Sequence, residues 1–217
     1  MAGKNGSILV LCSHSDDQIL GAGGALAKYA LEGARVVIVV FSYGEKGSPW
    51  LKKHVAAKIR IKESENAARF IGAANTVFLG IEEGKFAEQS VLSQNKNKII
   101  DIIKKEKPSR IFTHATDDPH PDHHELNAFV LSLCDEIGYE GEVLSFDIWN
   151  PVKIKDRQAP RIYVDISKTF NIKLSALRCF QSQLLSLLAL KWKVYYHALK
   201  HGAASKCRYA EMFYKLR

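Results

Sequence analysis

A histidine followed at once by a serine and two acids, His14-Ser15-Asp16-Asp17, stands directly after an apolar run. His14 and Asp17, three residues apart, can both reach one metal ion from a tight turn, and zinc takes such nitrogen and oxygen ligands. A third protein ligand must come from elsewhere. The stretch "DDPHPDHHEL" (117–126) offers His120, Asp122, His123 and His124. Alone, the first stretch reads more readily as a capping turn, and the second equally well as a solvated loop. Both at neighbouring sheet-edge positions point to a metal centre with two histidines and one aspartate. Asp16 is then left beside a ligand, where a carboxylate serves as general base in a metal hydrolase; its structural alternative is an N-cap. His120, one turn before His123, could donate to a developing oxyanion or hydrogen-bond behind the site.

The glycines that follow, Gly21, Gly23 and Gly24, attract a nucleotide-binding reading. A dinucleotide fingerprint needs its third glycine where Leu26 stands, and acids ahead of the turn would face a pyrophosphate unfavourably. Close packing of a helix on a sheet explains them better.

Apolar runs alternate with amphipathic stretches. Strands are expected at 7–13, 35–42, 75–80, 110–115, 142–148 and 161–166. Helices are expected after the first strand, over 55–71 and 91–106, and over most of 172–201, with Pro108 closing the third. This alternation predicts an α/β, Rossmann-like fold: a mostly parallel sheet with helices on both faces, in a single domain over 1–217. In such sheets ligands bind beyond the carboxyl ends of the strands. The loops carrying "SHSDD", "FSYGEKGSP" and "HATDDPHPDHH" should therefore converge on one edge.

With 47% hydrophobic and 25% charged residues, the 217-residue chain has a globular composition. No apolar run reaches the roughly 20 residues that span a bilayer, and the first residues lack a secretory pattern. Four widely spaced cysteines with no CxxC pair are expected to be reduced, in keeping with a cytoplasmic protein. The net charge is +8, and Lys191, Lys193, Lys200, Lys206, Arg208, Lys215 and Arg217 face only Glu211 in the last segment. Such a segment could suit nucleic acid or a membrane surface; a solvated helix face is the plainer reading. Without a nucleic-acid motif or a membrane anchor, neither partner is expected.

The sequence resembles the PIG-L/LmbE-like family of metal-dependent N-acetylglucosamine deacetylases. The family's H-P-D-D-E and H-x-D-H motifs stand here as "HSDDQ" (14–18) and "HPDH" (120–123). "GEKGS" (44–48), "RIKESENAARFIG" (60–72), "FDIWNP" (146–151), "SQ" (182–183) and "YAEMF" (209–213) resemble its further segments in order. The resemblance implies that His14, Asp17 and His123 bind Zn2+ or another divalent ion. It implies Asp16 as general base, His120 as oxyanion stabiliser or proton-transfer partner, and Arg60 as a contact to sugar hydroxyls. A surface salt bridge to Glu63 is the alternative for Arg60. Ser15 and Gln18 depart from the family's proline and glutamate. The implied reaction removes the acetyl group from a small N-acetylated sugar, releasing acetate and a free amino sugar. Members of the family are often oligomeric, which leaves a homo-oligomer open. The alternatives are a metal hydrolase of another amide or acyl substrate, or a non-catalytic protein that binds an anionic partner.

Overall fold

The computed structural model describes residues 6–47, 51–148 and 159–217. Its first strand, β1 (Ser7–Cys12), is buried at every position, as the unbroken apolar run requires of a strand covered on both faces. Parallel partners flank it, β2 (Arg35–Val40) on one side and β4 (Pro108–His114) on the other. Outward from these lie β3 (Asn75–Phe78) and β5 (Glu142–Phe146), again parallel. The sheet is completed by β7 (Ala210–Lys215), which runs antiparallel to both β5 and β6 (Arg161–Asp165). The strand order is β3-β2-β1-β4-β5-β7-β6.

Side-chain alternation along β1 and β2 splits the core in two. Ile8, Val10 and Cys12 join Val36, Ile38 and Val40 on one face, packed under α1 (Asp17–Leu31), α2 (Lys53–Phe70), α6 (Phe170–Leu177) and α7 (Leu184–Ala204). Leu9, Leu11, Val37 and Val39 face α3 (Gln89–Gln94), α4 (Lys96–Glu106) and α5 (Pro121–Glu136). Helices therefore cover both faces of a mostly parallel sheet, as the alternating pattern predicts.

The glycines of α1 serve this packing. A Cβ on Gly21 would lie 2.2 Å from the Phe146 ring, and one on Gly24 would lie 2.7 Å from Ile166. Several boundaries differ from the sequence reading. Strand β4 begins at Pro108 itself, at the strand's first residue, where a missing N–H is tolerated. The helix expected over 91–106 is interrupted at Asn95, and the helical stretch 172–201 breaks around a single 3-10 turn at Gln181–Gln183. Ser48, Trp149, Asn150 and Pro151, which belong to two of the motifs, lie outside the described residues. Among the described residues no helix is long and apolar enough to cross a membrane.

Candidate active site

Strand order reverses direction between β1 and β4, and the crevice beyond their carboxyl ends is where open α/β sheets place ligands. The loop after β1 brings His14, Asp16 and Asp17 to that crevice. The loop after β4 leads into α5 and brings Asp118, His120, Asp122 and His123. Loops after β2 and β3 close the same edge, because the Glu83 N–H reaches the Glu45 carboxylate and the Gly84 N–H reaches Asp122.

Three ligand-type atoms form a nearly equilateral triangle. His14 Nδ1 is 3.2 Å from His123 Nε2, and Asp17 Oδ2 is 3.3 Å from each of them. All three residues are buried and form a His/Asp cluster that could hold a metal ion. Bonds of about 2.0–2.1 Å to a tetrahedral ion give ligand–ligand edges of about 3.3–3.4 Å. The observed edges match that spacing. Each histidine also has a carboxylate at its other nitrogen: Asp122 Oδ2 is 3.3 Å from His14 Nε2, and Asp118 Oδ1 is 3.0 Å from His123 Nδ1. Such outer carboxylates leave the inward nitrogen with a free lone pair. Asp118 is itself fixed by N–H groups from His120 and Ile148.

Charges in this cluster reinforce one another. Burial opposes a cation at His14, but Asp17 and Asp122 hold its imidazole up to about 10. Burial likewise works against His123, which Asp17 and Asp118 hold at about 9. Burial pulls Asp17 upward, yet the facing histidines keep it well below the usual carboxylate range.

Asp16 occupies the N-cap position of α1, but its side chain makes no capping hydrogen bond. The carboxylate is thus not consumed by the structural role that its position invites. Burial and the neighbouring Asp17 charge raise its pKa, partly offset by Arg60 and His14. A buried carboxylate held above its ordinary range is better suited to accept and return a proton.

His120 caps α5, where its Nδ1 accepts the Asp122 N–H at 3.2 Å. Burial and the facing His14 and His123 lower its pKa, so the neutral ring keeps its proton on Nε2 as a free donor. Its ring stacks on His123 at 4.5 Å, and His114 stacks on the other side at 3.8 Å. His114, from the end of β4, accepts the Ser13 N–H at Nε2. Burial and His123 bring its pKa down to about 4, so it is neutral.

Arg60 is only 5% exposed and lies close to Asp16 in charge terms. Its Nε–H donates to Ser15 Oγ at 3.3 Å, and Gly44, at φ +70, leaves the space its guanidinium fills. The surface salt bridge to Glu63 is not found. Glu63 instead accepts two hydrogen bonds from Ser182. Ser15 and Gln18 are both tied down: Ser15 donates to the Tyr43 carbonyl, and Gln18 Nε2 donates to the Ser15 carbonyl at 2.9 Å.

The family profile PIG-L, described as GlcNAc-PI de-N-acetylase, matches residues 9–134, more than half of the chain. The chain belongs to the PIG-L family. Its relatives include a diacetylchitobiose deacetylase from Thermococcus kodakarensis, 27% identical over 93% of this chain and 80% of that protein. They also include a 4-oxalmesaconate hydratase from Pseudomonas putida, 27% identical over 92% of this chain and 81% of that protein. Among solved structures, the N,N'-diacetylchitobiose deacetylase of Pyrococcus horikoshii superposes with a TM-score of 0.79 at 24% identity, covering 99% of this chain and 84% of the other. That likeness shows the shared fold. The PIG-L match spans β1 to α5 and so contains His14, Asp16, Asp17, Arg60, His114, Asp118, His120, Asp122 and His123.

Proposed function

We propose that this PIG-L protein is a zinc-dependent N-deacetylase of a small molecule containing N-acetylglucosamine, working in the cytoplasm as one domain. The observation that carries this reading is the triangle of His14, Asp17 and His123 with edges of 3.2–3.3 Å, beside an uncapped buried Asp16. The four cysteines are all free, in keeping with a reducing compartment.

His14 Nδ1, Asp17 Oδ2 and His123 Nε2 would hold the ion, which when bound supplies Lewis-acid polarisation of water and of the amide carbonyl. Asp16 takes the proton of the attacking water as its oxygen adds to the acetyl carbon. His120 donates its Nε2–H to the oxyanion that develops on the former carbonyl oxygen. The proton held by Asp16 passes to the departing nitrogen as the C–N bond breaks, giving acetate and the free amine. Arg60, held beside Ser15 and near Asp16, would contact the sugar hydroxyls through its remaining N–H groups.

The test is acetate release from a panel of N-acetylglucosamine conjugates by metal-loaded protein. Asp16→Asn should keep about one divalent ion per chain while turnover falls by about 10²–10⁴-fold. A zinc-loaded protein that releases no acetate from any member of the panel would overturn the proposal. The hydratase among the relatives gives a second reading, water addition to an unsaturated acid. It matches this chain as closely as the diacetylchitobiose deacetylase does. Turnover confined to an unsaturated oxo-tricarboxylate such as the one that relative's name gives would select it.

A further inference from the structure

The net charge of +8 has a single address. Residues 166–210 contain eight Lys and Arg and no Asp or Glu, so the rest of the chain holds 23 of each sign and is neutral. At the centre of this segment lies α7. Its outward side chains include Leu184, Trp192, Tyr195, Tyr196 and Leu199, of which Trp192 is 59% and Leu199 52% exposed. At about 100° per residue these five fall within about 120° of arc, with Lys191 on one flank and Lys200 on the other. Lys200 Nζ lies 5.7 Å from the Tyr196 ring centre, which keeps its charge at the edge of the apolar stripe. The inward face of the same helix is spent on the core through Leu190 and Ala198. An apolar cavity of about 530 Å³ lined by Leu174 and Phe180 opens beside the stripe, sharing Leu184 and Tyr195 with it and carrying Arg178 and Lys191.

We infer that the outer face of α7 docks the protein on an anionic lipid surface. An exposed Trp/Tyr/Leu stripe between cations is the composition of a helix lying in the plane of a membrane interface. Lys173 and Lys193 of this segment are buried, and acidic headgroups would pair with its exposed cations, Lys191 and Lys200. A second copy docked by a two-fold axis would instead set Lys191 and Lys200 against an equally acid-free face, a repulsive pairing. Docking of this kind needs no spanning helix and uses none of the residues at the β1/β4 crevice.

Co-sedimentation with vesicles of phosphatidylcholine, alone or containing phosphatidylglycerol, tests the inference. The metal-loaded protein should bind the anionic vesicles, release from them as salt rises, and ignore the neutral ones. Each surface cation near an acidic membrane contributes about a fivefold factor in affinity, so Lys191→Glu with Lys200→Glu should weaken binding by at least about tenfold. Trp192→Ser with Leu199→Ser should weaken it as well, while metal content and thermal midpoint stay those of the wild type for both variants. Equal binding to both vesicle types, or none, overturns the inference. So does anionic-vesicle binding that survives both double substitutions. A dimer in solution that Trp192→Ser with Leu199→Ser converts to a monomer, without vesicle binding, assigns the face to a second copy instead.

Discussion

His14 and His123 each stand between Asp17 and an outer carboxylate, Asp122 for the first and Asp118 for the second, and their mutual attraction favours the charged form in all five groups. The carboxylates hold the two imidazole pKa values near 10 and 9, so the pair favours protonation at neutral pH in the metal-free protein, and the 3.2 Å between His14 Nδ1 and His123 Nε2 leaves room for one shared proton. A divalent ion must displace that proton, so binding at pH 7 should release about one proton per ion. Calorimetry in buffers of different ionisation enthalpy reads that number directly. The sign for stability follows from the raised folded values. The metal-free protein holds this stabilisation fully below the unfolded histidine value near 6.5, and loses it as pH rises through 9 to 10. Asp118→Asn should weaken metal binding by about 10–100-fold, since it removes the carboxylate behind His123. The residues in the two short motifs were legible because ligand spacing is local. His114, Asp118 and Asp122 were not assigned, because their work depends on neighbours across the crevice. Nothing near "RIFTHA" in the sequence indicates that the ring of His114 will accept the Ser13 N–H, 101 residues away. Arg60 was legible as a position, but its choice of Ser15 over Glu63 depends on how α2 is rolled against the sheet.

At the scale of elements, the least expected arrangement joins α1 to the far end of the chain. Glu211, on β7, accepts the N–H groups of Gly24 and Ala25 in the middle of α1, at 3.0 and 2.7 Å. Lys173, on α6, pairs with Glu211 at 2.6 Å and donates to the Leu20 carbonyl at 2.7 Å. A buried ion pair is thereby applied to the hydrogen-bond ladder of the helix that begins with Asp17. Glu211→Gln or Lys173→Met alone should cost about 3–5 kcal/mol by stranding a buried charge. The double variant should cost less than the sum, as a denaturant cycle would measure. On α7, burial and the nearby Lys193 bring His197 to about 3. That histidine stays neutral in the fold and gains a proton on unfolding. Stability should therefore fall as pH drops from about 6.5 towards 3, and His197→Gln should flatten the decline in urea titrations. The helix–strand alternation was readable from apolar runs, since buried parallel strands need them. The antiparallel β7 was seen only as a motif, because six residues flanked by cations carry little periodic signal. The breaks at Asn95 and near Gln181 escaped for a related reason: apolar spacing continues across both.

For the whole molecule, metal and fold should be thermodynamically linked. Free ion at about 100 times its dissociation constant stabilises by about 2.7 kcal/mol. For a chain of this size that corresponds to a rise in Tm of about 5–10 °C over chelator-treated protein. Differential scanning calorimetry checks it, and an unchanged midpoint would mean that the triangle holds no ion in the folded state. Strand β7 has a separate consequence, concerning the order in which the chain is made. It lies between β5 and β6, so a growing polypeptide emerges with β6 already synthesised and the slot beside it empty. The first helix likewise waits for Glu211, 187 residues after Gly24, to arrive. A nascent chain stalled at residue 205 would carry β1 to β5 in pairing order and still leave its final gap unfilled. Protease resistance of β6 and of the middle of α1 should thus appear together, and only after residues 210–215 have cleared the ribosome.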